Sequence, residues 1–225
     1  VGISFNNLGM AYKDRGDLQR ARQYLLQALE IARQIRSANL LASALANLSH
    51  VYLLEGSWAD GVRCGEEALR VAEESGSVEQ RVEAHCLLAE GWLNAGDLER
   101  AAQHVEQAVA LAGESGACAV LALAARAEGK LALRQGKADT AVQAFQRSAG
   151  GFADLRNRLE QYRSAACLGQ ALASLGRLEE GRRHMEEALR VFEALGAAWD
   201  AAEARRLLQE IGDPAEKDRG KVVFR

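Results

Sequence analysis

The chain has 225 residues, and its net charge of −3 from 28 basic and 31 acidic side chains gives no general attraction to nucleic acids or anionic membranes. Its apolar runs are shorter than the roughly 20 residues that a membrane-spanning helix needs. Proline is the strongest helix breaker, and the single proline is Pro214, so the composition favours helices along almost the whole chain.

The four cysteines form no CxxC pair, which argues against a zinc knuckle or a redox motif. Each lies in apolar helical sequence, so we expect buried free thiols in a reducing compartment, the cytoplasm. Val1 opens directly into helical sequence without a capping residue, as expected for a piece of a longer protein.

A short turn recurs five times at an interval of 40 residues, each time with a glycine between two apolar helical stretches. These glycines are Gly16, Gly56, Gly96, Gly136 and Gly176. A fixed period of about 20–50 residues is typical of repeat proteins, in which each unit packs on its neighbours. The sequence therefore predicts five helical hairpins.

The first hairpin places Phe5, Leu8, Gly9 and Tyr12 at helical spacing, which predicts one buried face. The small residues Gly9 and Ala21 predict a close approach of its two helices. In the fourth unit this pattern is eroded to Glu128, Gly129 and Ala132, which suggests a unit that has exchanged packing for recognition.

Between units, Gly76, Gly116 and Gly196 share one helix-ending position, where Arg36 and Arg156 stand in the other two units. After Gly196, an eleventh helix is predicted to cap the last hairpin, with Asp200 on its charged outer side.

The predicted domain organisation is a repeat region over residues 1–211 and a polar tail or linker over 212–225. The predicted repeats are about 1–37, 38–77, 78–117, 118–157 and 158–197, followed by the capping helix over 198–211.

These repeats resemble tetratricopeptide repeats (TPRs) in the residues Leu8-Gly9-x2-Tyr12-x3-Gly16-Asp17-x3-Arg20-Ala21-x3-Leu25-x2-Ala28-Leu29. The resemblance implies an all-α fold, a right-handed solenoid of five hairpins with a C-terminal capping helix. The 40-residue unit is longer than the usual 34 residues. It is similar to the repeats of bacterial multidomain signalling regulators, such as maltose-regulator-like activators, and of animal spindle-orientation adaptors. The Ala- and Arg-rich composition favours a bacterial protein.

Enzymatic motifs are absent from the sequence. Gly129-Lys130 and Gly136-Lys137 lack the upstream glycine of a phosphate-binding loop, and no HExxH, GxSxG or GxGxxG occurs. We therefore expect no catalytic activity, no cofactor and no metal site.

In a TPR stack, the resemblance implies that the first helix of each hairpin lines a concave, ligand-binding face. The inward positions are Asn6, Asn7, Met10, Lys13, Asn47, His50, Leu54, Glu83, Leu87, Glu90, Asn94, Arg126, Lys130, Arg134, Arg163, Cys167 and Gln170. This face changes from amide-rich through acidic to basic along the chain.

Two features of this face suggest peptide binding. Asn7 and Asn47 are equivalent, and an amide can donate to and accept from a peptide backbone. Arg126, Lys130 and Arg134 form one stripe that could hold acidic side chains. We expect that reversing these three charges leaves the fold intact and weakens the binding of an acidic partner. The alternative is that the stripe is simply the solvated side of a helix.

The leading hypothesis is a non-catalytic interaction module that binds a peptide or partner segment in the groove. It would be the sensor or scaffold part of a larger signalling or transcription regulator. Two alternatives stay open: a small-molecule-sensing domain, and a scaffold that self-associates, as a homodimer, through exposed terminal faces.

Overall fold

The computed structural model describes residues 1–211, and within this range the chain forms eleven α-helices and no strand. The predicted tail over 212–225 lies outside the described residues. The helices are α1 Gly2–Asp14, α2 Leu18–Gln34, α3 Ala38–Leu54, α4 Trp58–Ser75, α5 Val78–Ala95, α6 Leu98–Ser115, α7 Cys118–Arg134, α8 Ala138–Asp154, α9 Arg158–Ser174, α10 Leu178–Leu195 and α11 Ala198–Ile211.

The five predicted turns are confirmed, because each turn glycine has a φ between 74° and 83°, where a side chain would be strained. The second helix of a hairpin then begins at a cap. The Asp17 carboxylate accepts from the Arg20 backbone N–H at 3.0 Å, and Asp97 accepts from Arg100 at the same distance.

The loops between hairpins use one left-handed residue to end the preceding helix. Gly76, Gly116 and Gly196 have φ values of 65° to 74°, and Arg36 and Arg156 adopt φ values of 53° and 54°. The two arginines thus take the backbone conformation of the glycines they replace, which confirms the predicted equivalence. Each costs about 1–2 kcal/mol relative to glycine there.

Within hairpins, small residues bring the helices close together. A Cβ on Gly9 would lie 2.5 Å from Cγ of Leu25, so the predicted close approach is confirmed. In the fourth hairpin, a Cβ on Gly129 would lie 2.6 Å from Cε1 of Phe145, which is fully buried. The suggested loss of packing in this unit is wrong, because Gly129 makes room for an aromatic ring.

The predicted buried stripe of α1 is only partly correct. Leu8 is 41% exposed, whereas Leu48 at the equivalent position of α3 is 2% exposed. The difference arises because α3 packs against the preceding hairpin, which covers Leu48. Among the described residues no hairpin precedes α1, so Leu8 is not covered in this way.

The eleventh helix does more than cap the last hairpin. It packs on α10 and contacts α9, and it also contacts α1, so the row of hairpins closes on itself. The turn at Gly16 lies against it, since a Cβ there would be 3.4 Å from the backbone N of Trp199. Asp200 is 7% exposed and faces inward, contrary to the prediction, because the closure places α9 and α1 on that side of the helix.

Candidate binding site in the concave interior

The interior of the closed row contains two adjoining cavities. The first, of about 420 Å³, lies between α3, α5, α7, α9 and α11, and the second, of about 300 Å³, lies between α1, α3, α5 and α7. They share a wall formed by His50, Glu90, Leu93, Arg126 and Lys130. Volumes of this order suit a small ligand or a few peptide side chains.

Most of the predicted inward residues line these cavities. Those on the second cavity are Met10, Lys13, Asn47, His50, Glu83, Leu87, Glu90, Arg126 and Lys130. Those on the first cavity, besides the shared residues, are Leu54, Asn94, Arg134, Arg163, Cys167 and Gln170. Asn6 and Asn7 line neither cavity.

Of the two equivalent amides predicted to bind a peptide backbone, Asn47 is hydrogen-bonded to α1 and Asn7 is exposed. Asn6 is buried, and its Oδ1 accepts from Nδ2 of Asn47 at 3.1 Å, while Asn7 is exposed. Oδ1 of Asn47 receives no hydrogen bond from residues 1–211, so it remains an acceptor on the wall of the second cavity.

The basic stripe of α7 is largely neutralised inside the protein. Arg126 pairs with Glu160 at 2.5 Å and Lys130 with Glu90 at 2.8 Å. Burial alone would raise the pKa of Glu90, but the Lys130 ammonium overrides it and lowers the pKa to about 2. Arg134 is exposed and forms no ion pair within the described part of the chain.

These pairs change the expectation for reversing all three charges. A glutamate at position 126 or 130 would leave Glu160 or Glu90 beside a like charge in a desolvated wall, which destabilises the fold. Of the three, only Arg134 can be reversed as a clean test of binding.

Arg163 joins three helices at the point of closure. On its own helix α9 it lies 2.7 Å from Glu160. It forms two bonds of 2.8 Å to the Asp200 carboxylate on α11 and one of 3.0 Å to Asp14 on α1, 149 residues away. The guanidinium fork suits such bidentate pairing. The inward position of Arg163 was predicted from the sequence, but none of its three carboxylate partners was.

Lys13 and His50 form a second buried contact on the same side. Lys13 is 6% exposed, and its Nζ lies 3.4 Å from Nδ1 of His50 and 3.8 Å from the Asp14 carboxylate. Burial lowers the pKa of Lys13, with Asp14 opposing the change. Burial and the Lys13 charge lower the pKa of His50, so the ring is neutral and its Nδ1 accepts from the ammonium.

Glu83 of α5 differs from the other interior carboxylates. It is partly buried on the wall of the second cavity, and it forms no ion pair or hydrogen bond with any residue the structure describes. Burial raises its pKa, against the attraction of Lys13 and with the repulsion of Glu160.

The thiols are free, but they are not all buried as predicted. Cys64 is buried, Cys86 and Cys167 are partly buried, and Cys118 is exposed at the first position of α7, where no helix covers it. Burial raises the pKa of Cys86 to about 12, so it stays protonated at neutral pH. No group of three or more metal-ligating side chains occurs within residues 1–211.

No helix in the described range combines the length and hydrophobicity needed to cross a membrane.

Outside the interior, a further polar pair joins the third hairpin: Nδ1 of His85 lies 3.0 Å from Nδ1 of His104.

Similar folds are found among solved structures. A Rap conjugation gene regulator of the plasmid pLS20, in complex with a Phr peptide, superposes with a TM-score of 0.75 at 14% identity, over 92% of this chain and 57% of that one. A Rap protein complexed with competence and sporulation factor has a TM-score of 0.69 at 15% identity, over 92% and 73%.

A signal-transduction ATPase with a TPR sensor from Pyrococcus horikoshii has a TM-score of 0.59 at 17% identity, over 98% of this chain and 38% of that one. At these identities the similarities show the fold alone. No curated protein matches the sequence.

Family models described as tetratricopeptide repeat match residues 1–74 and 163–195. The first match spans most of the first two hairpins, and the second covers the fifth. With the 40-residue register that links them across five hairpins, these matches show that the chain carries tetratricopeptide repeats.

Proposed function

We propose that the chain is a non-catalytic interaction module that binds a short peptide segment in its concave interior. The observation that carries this proposal is the pair of adjoining cavities between the first helices, where apolar walls meet convergent polar groups. In this proposal the module is the sensor or scaffold part of a larger bacterial regulator in the cytoplasm.

The comparisons support this proposal in two ways. One protein of similar fold was solved with a Phr peptide, and another is described as carrying a TPR sensor. This chain spans 57% and 38% of those two proteins, which leaves room for an output domain in proteins of that kind.

An extended segment suits the interior, because it can place successive side chains in the two adjoining cavities, of about 420 and 300 Å³.

Arg134 is the residue through which an acidic peptide side chain would be held, because the other two cations of α7 are already paired. The test is selection of heptapeptides from a random library, followed by titration calorimetry with the best binders. We expect enrichment of acidic residues and a loss of about tenfold in affinity in Arg134→Glu, equivalent to about 1.4 kcal/mol.

The matched control is Arg190→Glu, an exposed arginine on the second helix of the last hairpin, outside both cavities. It should bind the selected peptides like the wild type. Peptides that bind both variants equally well would refute the role of Arg134, and failure to select any binder would refute peptide binding.

A second candidate function is small-molecule sensing. The cavity volumes, about 420 and 300 Å³, fall within the range of small-ligand pockets, and the contact between α11 and α1 closes the interior. A thermal-shift screen against common metabolites distinguishes the two candidates. A shift of several degrees with one metabolite, combined with no selected peptide, favours the sensor.

A further inference from the structure

One carboxylate of the second cavity has no cationic partner. Each cation that lines this cavity has a carboxylate within 4 Å. The pairs are Lys13 with Asp14, Arg126 with Glu160, and Lys130 with Glu90. Glu83 is the carboxylate that remains without a cation among the described residues.

Asn47 and Met10 line the second cavity together with Glu83. Oδ1 of Asn47 receives no hydrogen bond from residues 1–211, and the thioether of Met10 lies 3.9 Å from Nδ2 of Asn6. The charged groups that line this cavity with Glu83 are Lys13 from α1, Glu90 from α5, Arg126 and Lys130 from α7, and Glu160 from α9. Neutral His50 from α3 lines it as well. Each of the three cations is already held by its own carboxylate.

A desolvated carboxylate without a partner is costly, because burial disfavours its charged form. The raised pKa of Glu83 is the expected sign of this cost. Two events can relieve it: protonation, or the arrival of a cation in the cavity that Glu83 lines.

We propose that the second cavity binds a cationic group, the ammonium of a lysine or the guanidinium of an arginine in the bound peptide, with Glu83 as its carboxylate. This inference rests on the proposed peptide-binding function and gives it a chemical preference. The Asn47 carbonyl oxygen accepts a second N–H of the same group, and the Met10 side chain packs along the aliphatic stem.

The proposal has a signature in proton exchange. The cation binds the ionised form of Glu83, so peptide binding releases the proton that the free protein holds at pH values below the raised pKa. Affinity therefore increases as the pH rises through that pKa, and the binding enthalpy depends on the ionisation enthalpy of the buffer.

The probes are acetylated and amidated tripeptides with the sequence Ala-X-Ala, where X is Lys, Arg, norleucine or Glu, so that only the central side chain differs. Binding is measured by titration calorimetry at two pH values and in two buffers. We expect the Lys and Arg peptides to bind about tenfold more tightly than the norleucine peptide, and the affinity of the Glu peptide not to depend on Glu83, because its carboxylate would pair with Arg134 in the first cavity.

Glu83→Gln keeps the shape of the side chain and removes its charge. In this variant the Lys and Arg peptides should fall to the affinity of the norleucine peptide, and the buffer dependence should disappear. Its melting temperature should equal or exceed that of the wild type, because a desolvated carboxylate is gone. The control Glu79→Gln, an exposed residue on the same helix, should behave like the wild type.

Three results would overturn the cation site: equal binding of Lys and norleucine peptides, unchanged binding in Glu83→Gln, or no binding of the cationic peptides at all. None of these three results alone decides whether the protein binds peptides, which the library selection tests separately. Library-selected peptides that lack basic residues would uphold peptide binding in the groove while excluding a cation at Glu83.

Discussion

The substitution Arg163→Met tests whether the interior ion pairs hold the closed row together. Methionine keeps much of the length of the side chain but removes its bonds to Asp14 and Asp200 on the first and last helices, at 3.0 and 2.8 Å. Asp200 then remains as a buried carboxylate without a partner, since its exposed fraction is 7%.

The expected loss of stability follows from the buried Asp200 carboxylate, which the substitution leaves unpaired. Removing one partner of a buried ion pair costs about 3–5 kcal/mol. The side chain of Arg163 is 17% exposed, so water can reach part of the vacated site, and we expect a loss of about 2–4 kcal/mol in the free energy of unfolding. For a chain of this size that corresponds to roughly 5–15 °C in melting temperature.

The assay is urea unfolding followed by circular dichroism, for Arg163→Met, for the double variant Arg163→Met/Asp200→Asn, and for the control Arg158→Met. The double variant should recover part of the loss, because it removes the orphaned charge. Arg158 is exposed on the same helix, and its substitution should cost less than about 0.5 kcal/mol.

The pH dependence gives an independent check. Burial alone would raise the pKa of Glu160, but Arg126 and Arg163 together hold that pKa well below its usual value. That stabilisation is complete above about pH 4.5 and is lost as the pH falls below it. The difference between wild type and Arg163→Met should therefore shrink in acid. Equal losses in the single and double variants, or a difference that persists in acid, would refute the reasoning.

Two further predictions concern packing and acid stability. Gly169→Ala should destabilise the protein by about 1–3 kcal/mol, because its Cβ would lie 2.7 Å from the backbone O of Gly181. Gly150→Ala, whose Cβ would meet no atom within 4 Å beyond its own stretch of helix, should stabilise it by about 0.5–1 kcal/mol. Urea unfolding measures both, and effects of the same sign would contradict this. Burial and the neighbouring His104 lower the pKa of His85 to about 4, so the neutral ring is favoured in the fold and stability falls as the pH drops from 6.5. We expect the free energy of unfolding to fall by about 1–2 kcal/mol between pH 7 and 5, and to fall less in His85→Leu. An equal pH dependence in both proteins would exclude His85 as the cause.

The sequence predicted the helices well because each structural feature depends on nearby residues. The turn glycines, the caps at Asp17 and Asp97, and the left-handed ends at Arg36 and Arg156 are local, and a constant 40-residue register repeats them. Most of the inward residues that the same register predicted line the cavities.

Prediction from the sequence failed where long-range curvature decides the outcome. Asn6 and Asn7 were both predicted to face inward, but neighbouring residues on a helix point about 100° apart, so Asn6 contacts Asn47 while Asn7 is exposed. Asp200 was expected on the outer side because nothing in the last helix reveals that α1 returns to meet it. The contact between Arg163 and Asp14 spans 149 residues and depends on the summed curvature of all five hairpins.

The pairing inside the groove also decides which residues can recognise a ligand. A ligand carboxylate that took Arg163 would have to replace Asp14 and Asp200, and so would weaken the contact that joins the first and last helices. Arg134 and Glu83 impose no such cost, since neither has an ion pair within residues 1–211 to break. One lines the first cavity and the other the second, on opposite sides of the shared wall. A peptide with an acidic and a basic side chain can therefore engage both while the closed arrangement of helices stays intact.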